Sequence, residues 1–227
     1  VSVDDGAIEP LVTEVDGERL TCTNNAAVAD DGTIWFTDSS RNFPVHHYKG
    51  DIIEHTGTGR LFRRDPDGTL ETMVDGLHFA NGVALDPQGE YVLVAETGMY
   101  RIVRLWLTGE KQGRSDVFAE MPGFPDNLSV GPTGTIWCAV ASSRNKLLDL
   151  LLDKPPAIRK VVWNLPDAVQ PGPAKEAIVF GYDRTGHLTH NLQSHGHAFI
   201  VATGAREHDG WLYVGSLESD AILRYRL

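Results

Sequence analysis

Residues 79–97 read Phe79-Ala-Asn-Gly-Val-Ala-Leu-Asp-Pro-Gln-Gly-Glu-Tyr-Val-Leu-Val-Ala-Glu-Thr97. Two apolar runs, Val83 to Leu85 and Tyr91 to Ala95, flank a break at Asp86-Pro87-Gln88-Gly89, the pattern of two strands joined by a tight turn. The unit recurs. Asn24 leads through Gly32 into Thr33-Ile-Trp-Phe-Thr37, and Asp126 leads through Gly134 into Thr135-Ile-Trp-Cys-Ala-Val140. Asn24, Asn81 and Asp126 each lie eight residues before their glycine. In a fourth copy, with Gly210 before Trp211-Leu-Tyr-Val-Gly215, that place is held by Ala202.

The four glycines are 57, 45 and 76 residues apart, so a constant local pattern carries loops of different length. After each of the first three pairs come two further strand patterns, such as Arg60–Arg64 with Leu70–Val74, whereas the last copy shows only Ile222–Tyr225. Four short antiparallel strands per repeat predict an all-β propeller rather than a sandwich, which does not require one turn motif to recur in register. The expected units of this single domain, 1–227, are 17–76, 77–123 and 124–194 as full blades, with 195–227 as a last, three-stranded one. Residues 1–16 read as the end of an incomplete blade, because Val3 to Val12 matches Asp65 to Val74 in register. Residues 7–13 either close the last blade into a four-bladed ring or belong to a larger propeller whose first blades are missing.

In an antiparallel meander the start of the first strand and the end of the second share one side of the sheet. The Asn24, Asn81 and Asp126 positions are therefore expected to converge at the channel mouth. The two long connections, 38–59 and 141–175, emerge on the same face. Asn and Asp oxygens gathered on an axis are hard ligands suited to Ca²⁺, with Mg²⁺ or another divalent ion second. Such an ion would polarise a carbonyl or phosphoryl oxygen, and Asp126 is the one carboxylate available as a catalytic base. In the alternative reading the three residues only cap the blade loops. Asp38 and Glu96, at the ends of second strands, are expected to make strand-end hydrogen bonds.

The first long connection carries His46, His47 and His55 in no zinc-site spacing, and reads as a substrate-facing lid. His187, His190, His195 and His197 read as surface residues. The second connection, 145–165, has helical patterning interrupted at Pro155-Pro156. Leu147, Leu148, Leu151 and Leu152 are expected to share a face, followed by Ile158, Val162 and Trp163. Leu148 and Leu151 then line a lid over the mouth or form a homo-oligomer contact; a membrane-surface anchor is the weakest reading, with Asp149 and Asp153 present and few basic residues.

The chain has 31 carboxylates against 20 Lys and Arg among 227 residues, which disfavours nucleic acid and anionic membrane as partners and leaves a small-molecule substrate. Cys22 and Cys138 are expected to be buried free thiols. With no signal or membrane-spanning pattern, a cytoplasmic location is expected. Val1 in place of an initiator Met suggests that the start of the gene product is missing.

Phe79-Ala-Asn-Gly-Val-Ala-Leu85 with Ala95-Glu-Thr97, Trp35-Phe-Thr-Asp-Ser-Ser40, Gly123-Phe-Pro-Asp-Asn127 and Glu207-His-Asp-Gly-Trp-Leu-Tyr-Val-Gly-Ser216 together resemble the strictosidine synthase-like branch of the gluconolactonase, SMP-30 and paraoxonase-like propellers. The resemblance implies six blades, with roughly the first one and a half absent from this chain. It implies a catalytic Ca²⁺ held by Asn24, Asn81, Asp126 and, as in the paraoxonase-like members, Asn127. A further first-blade Glu of those enzymes has no counterpart here. The function implied is a calcium-dependent lactonase or esterase. True strictosidine synthases instead condense an amine with an aldehyde without metal, using a late Glu for which Glu207 is the candidate match, although the meander puts Glu207 on the opposite face. A propeller whose Ca²⁺ serves only stability and partner binding is the third reading.

Overall fold

The computed structural model describes residues 4–166, 169–196 and 198–227. A small hairpin, β1 (Glu14–Val15) and β2 (Glu18–Arg19), precedes three antiparallel sheets of four strands. These are β3 (Thr23–Val28), β4 (Ile34–Asp38), β5 (Gly59–Arg64) and β6 (Leu70–Leu77); β7 (Ala80–Leu85), β8 (Tyr91–Glu96), β9 (Arg101–Trp106) and β10 (Ser115–Glu120); and β11 (Gly123–Val130), β12 (Ile136–Ser143), β13 (Ala177–Tyr182) and β14 (Leu188–Ser194). The last sheet has three strands, β15 (Ala202–His208), β16 (Trp211–Ser216) and β17 (Leu223–Arg226). Within every sheet the strands pair in chain order. The innermost strands β3, β7, β11 and β15 touch one after another, so the sheets follow each other in the manner of propeller blades.

Burial follows the layering. All six residues of β8, Tyr-Val-Leu-Val-Ala-Glu, are buried, as are those of β13, because a middle strand is covered on both faces by neighbouring sheets. The outer strands β6 and β14 are largely exposed. β3 is exposed at alternate positions, including Val28, since no sheet covers its outer face among the described residues. Residues 7–13, read as an outer strand, join no sheet among the described residues. Residues 1–3 of that reading lie outside the described ones.

One feature of the inner strands positions everything functional. In each, the ladder with the second strand slips by one residue near its start. The slip falls between Thr23 and Ala26, between Ala80 and Val83, between Pro125 and Leu128, and between Ala202 and Gly204. These are β-bulges, which insert an unpaired residue and re-aim side chains. They fall on Asn24-Asn25, Asn81-Gly82, Asp126-Asn127 and Thr203.

Neighbouring inner strands meet closely at these bulges. A Cβ on Gly82 would lie 2.3 Å from the Leu128 nitrogen and 2.6 Å from the Asp126 oxygen, so only glycine lets β7 approach β11 there. At the far end of the same strands, Arg184 grips Asp86 through two bonds of 2.7 and 2.8 Å, and the Tyr91 hydroxyl donates to the Arg184 carbonyl.

Gly82→Ala is expected to lower stability by about 2–3 kcal/mol, the range of a forced backbone shift in a packed core. Gly215→Ala, where an added Cβ meets nothing within 4 Å, is expected to stay within about 0.5 kcal/mol of the parent. Chemical denaturation of both variants checks the contrast.

Candidate functional site

The three bulged positions meet. Asn24, Asn81 and Asp126 all line one cavity of about 440 Å³ at the starts of β3, β7 and β11. Its walls come from the two long connections, as the meander predicts. From the first come Tyr48 and Ile53 of α1 (Tyr48–Glu54); from the second come Ser142, Asn145 and Leu148. Leu148 sits on α2 (Lys146–Leu152), whose first turn is capped by the Asn145 side chain accepting from the Leu147 and Leu148 amides. α3 (Pro156–Trp163) starts at Pro156 and packs on α1, with Trp163 edge-on to Phe43 and His47. Proline suits a helix's first turn, where no N–H is needed.

Hydrogen bonds fix which atom each amide shows to the cavity. The Pro125 carbonyl can only accept, so the Thr97 hydroxyl donates to it at 2.6 Å. The Thr97 oxygen then accepts from Asn81 Nδ2 at 3.3 Å. Asn81 Oδ1 is left buried with no partner among the described residues. The same chain operates one sheet earlier. Ser39 donates to the Ala80 carbonyl at 2.7 Å and accepts from Asn24 Nδ2 at 3.0 Å. Asn24 itself is exposed, on the open face of β3.

Asp126 is the charged member of the set. Burial pushes its carboxyl up to about 7, with the Asn81 side chain pulling the other way. Removing a carboxylate from water disfavours its ionised form. Tyr48 stands over the same floor; burial raises its phenol, followed by the charges of Glu218 and Asp126.

Asn127, the fourth expected ligand, lines the cavity but has both amide atoms engaged. Its Nδ2 donates to the Thr203 carbonyl and its Oδ1 accepts from Asn25 Nδ2, both at 2.7 Å. Asn25 Oδ1 in turn accepts from the Val83 amide at 3.1 Å. The backbone partners fix both orientations. The second residues of the first and third bulges, Asn25 and Asn127, therefore bond the neighbouring sheet, while the first residues, Asn24 and Asp126, line the cavity. Asn25, Ser39 and Thr97 escaped the sequence reading. The available signal was that Ser39 and Thr97 directly follow Asp38 and Glu96, the acids closing their second strands.

Those two acids are strand-end staples. Asp38 is fully buried, accepts from the Cys22 amide at 2.7 Å and pairs with Arg60 at 2.8 Å. Glu96 accepts from the His78 amide at 2.9 Å and pairs with Arg101 at 2.6 Å.

None of the three expected lid histidines lines the cavity. His46 and His47 are exposed in a 3-10 turn ahead of α1. His55 closes α1 in a left-handed conformation and stacks on His78 with ring centroids 3.7 Å apart. Leu151 is buried with Leu148, Ile53, Tyr100 and Phe124 beneath the cavity wall. Leu147 and Ile158, expected on the buried faces, are exposed. His187 and His195 are surface residues, His190 is half-buried against Trp137, and His197 lies outside the described residues. Glu207 does not line the cavity; its carboxylate accepts from Trp137 Nε1 at 2.8 Å, between sheets. Both cysteines are free and buried.

The donor set suits a hard divalent cation. Asn81 Oδ1 is an orphaned acceptor, Asn24 turns its nitrogen away from the cavity, and Asp126 supplies charge; amide and carboxylate oxygens are Ca²⁺ and Mg²⁺ ligands. Among the described residues no three His, Cys, Asp or Glu side chains are grouped to hold a metal, so the donors at this site are amides and the single carboxylate of Asp126.

Comparison with known proteins agrees with the motif reading. Residues 24–110 match the family model described as strictosidine synthase. The chain is a relative of the strictosidine synthase-like proteins. The rat adipocyte plasma membrane-associated protein is 35% identical over 225 residues, covering 95% of this chain and 60% of that one. Among solved structures, a gluconolactonase from Xanthomonas campestris aligns with TM-score 0.62 and 22% identity over 94% of this chain and 60% of its own. A calcium-binding protein, regucalcin, from Agrobacterium tumefaciens aligns with TM-score 0.55 and 15% identity over 87% and 54%. These likenesses establish the propeller-like fold. The chain thus spans little more than half the length of the proteins it matches. No helix among its described residues is long and apolar enough to cross a membrane.

The stacked histidines give a pH dependence with a definite sign. Burial is the main reason His55 is depressed to about 4, followed by His78 and Arg159; His78 is also depressed by burial, with Glu96 opposing and Arg101 and Arg159 adding. A depressed folded pKa contributes stability that is present above the unfolded value, about 6.5, and lost as pH falls toward 4. His55→Phe keeps a stacked ring without a titrating nitrogen. It is expected to flatten the fall in melting temperature between about pH 6.5 and 4, read by thermal denaturation of parent and variant. Glu207→Ala, which strips Trp137 Nε1 of its acceptor, is expected to cost about 1–3 kcal/mol in denaturant unfolding.

Proposed function

We propose that this chain carries the catalytic face of a calcium-dependent hydrolase of lactones or other esters. The observation that carries the reading is Asn81 Oδ1, a buried acceptor with no partner among the described residues, on a side chain that lines the cavity together with Asp126 and bonds its carboxylate through the amide. Asn24, Asn81 and Asp126 would hold the ion. When bound, it supplies Lewis-acid polarisation of a carbonyl or phosphoryl oxygen. The chain's own contributions follow from the geometry. Asp126 is the one carboxylate of the set and the group able to take a proton from an attacking water. The walls of Phe79, Phe124, Ile53 and Leu148 exclude water around the acyl or alkyl portion of the substrate. A gluconolactonase and a calcium-binding protein among the fold relatives support this reading over an amine–aldehyde condensation, as does the engagement of Glu207 with Trp137 away from the cavity.

The architecture that accompanies this proposal is a six-bladed propeller, of which the sheets described form an arc. The uncovered face of β3, with Asn24 at its end, is where a further sheet would complete the ligand set. The substrate is a small molecule. The exposed Leu147, Leu150 and Val161 on the outer side of the helical insertion supply a surface for self-association.

Calorimetric titration with Ca²⁺, run with a lactone and aryl-ester panel with and without chelator, tests the proposal. Asn81→Ala and Asp126→Ala are each expected to weaken Ca²⁺ binding about tenfold or more and to lower turnover in step. Turnover indifferent to chelation and to both substitutions would sink it. Ca²⁺ binding that raises the melting temperature with no turnover across the panel would convert the protein into a non-catalytic, calcium-stabilised propeller.

A further inference from the structure

We propose that Ser39 and Thr97 are positioning residues that determine divalent-cation affinity by locking the Asn24 and Asn81 amides with oxygen toward the cavity. The inference rests on the reading of that cavity as a cation site, and its argument is independent of any reaction.

An asparagine amide is symmetric in shape but opposite in charge at its two ends, and rotation by about 180° about its last torsion exchanges acceptor for donor. A ligand asparagine that is free to rotate presents its NH₂ to the cation part of the time. Something must break the symmetry. In both sheets the same device does so, built from a hydroxyl directly after the second strand. The hydroxyl hydrogen is committed to a backbone carbonyl of the next sheet, Ala80 for Ser39 and Pro125 for Thr97. Carbonyls cannot donate, so each hydroxyl oxygen can only accept from the amide. That selects Nδ2 for the hydroxyl and leaves Oδ1 as the free acceptor end, for Asn24 and Asn81 alike, and the Asn81 amide also bonds the Asp126 carboxylate.

The third sheet supplies an internal control. There the ligand position holds Asp126, whose two oxygens are equivalent and need no orientation. No such relay exists: Ser142, near the end of β12, donates to the Ser143 carbonyl and accepts from the Ala174 amide. The device is present where the ligand is an amide and absent where it is a carboxylate. Burial without a partner costs Asn81 Oδ1 free energy in the metal-free protein, and the relay maintains that arrangement against rotation.

Thr97→Val keeps the shape and removes the hydroxyl; Thr97→Ser restores it. Calorimetry with Ca²⁺ alone is the first readout. Thr97→Val is expected to weaken binding about 10–100-fold, the scale of a lost orienting partner, and Thr97→Ser to stay within about threefold of the parent. A merely structural role for Thr97 predicts a lower melting temperature of the metal-free protein with unchanged Ca²⁺ affinity, and that result overturns the proposal. The second readout needs no metal: the Asn81 side-chain NH₂ resonances in ¹⁵N-labelled protein. NOEs from the Asn81 NH₂ protons to the Thr97 γ-methyl in the parent, lost in Thr97→Val together with a shift of the NH₂ pair that Thr97→Ser leaves unchanged, support the relay. Signals identical in Thr97→Val and parent overturn it. A parent that binds Ca²⁺ but turns over no substrate sinks the hydrolase reading and leaves this proposal standing, whereas a parent that binds no Ca²⁺ overturns the affinity claim and leaves the NH₂ spectra to decide only whether Thr97 orients Asn81.

Discussion

The bulge at the start of every inner strand is the constraint on which the site depends. A regular ladder would send successive side chains to opposite faces of the sheet, one into each inter-sheet core. The extra residue breaks that alternation at the channel mouth. One side chain per sheet is thereby released toward the axis and the next toward the neighbouring sheet. The second set builds the frame. Asn25 reaches Val83 and Asn127, Asn127 reaches Thr203, and Gly82 gives up its side chain so that β7 and β11 can touch. With the frame fixed, Asn24, Asn81 and Asp126 have little freedom left in where they point. Rigid strands hold such a constellation more accurately than loops can.

The carboxylates near the mouth divide by environment. Asp38 and Glu96 are buried as deeply as any side chain in the protein, yet each has an arginine and a backbone amide to compensate its charge. Buried pairs of this kind contribute little net stability but are costly to break, and here they tie the loops ahead of β3 and β7 to the ends of β4 and β8. Asp126 has no cation beside it among the described residues. Its ionised form has no paired cation among the described residues, and a divalent ion would supply the missing positive charge.

Much of this was legible in the sequence, for reasons that also explain what was not. The constant eight-residue offset located Asn24, Asn81 and Asp126, because turn length and strand length are local properties and meander topology converts them into a shared face. The Pro155-Pro156 break divided the insertion into two helices for equally local reasons. The bulges left no trace, since one added residue in a strand looks like ordinary strand sequence. Ser39 and Thr97 were passed over because their partners lie in the next sheet, beyond any periodicity. Helical spacing grouped Leu147 with Leu148, but only tertiary packing could show that Leu148 and Leu151 take the inner face and leave Leu147 outside. The histidines of the first connection were read as a lid from composition. His55 is drawn instead into a stack with His78, because the left-handed turn that ends α1 directs it away from the mouth.

The division between strands and insertions has a chemical consequence. The polar floor is fixed by ladders, bulges, backbone carbonyls and the hydroxyls directly after β4 and β8, none of which lies on the helices of the long connections. The walls, in contrast, come largely from α1 and α2, whose contacts with the floor are apolar and non-directional. Apolar packing tolerates substitution of similar volume, whereas replacing one carbonyl acceptor or one hydroxyl donor of the floor leaves a buried polar atom unmatched. Substrate shape can therefore change through Ile52, Ile53 and Leu148 while the oxygen cluster beneath them stays as it is. A family built on this plan would be expected to differ in what it binds far more than in how the bound group is held.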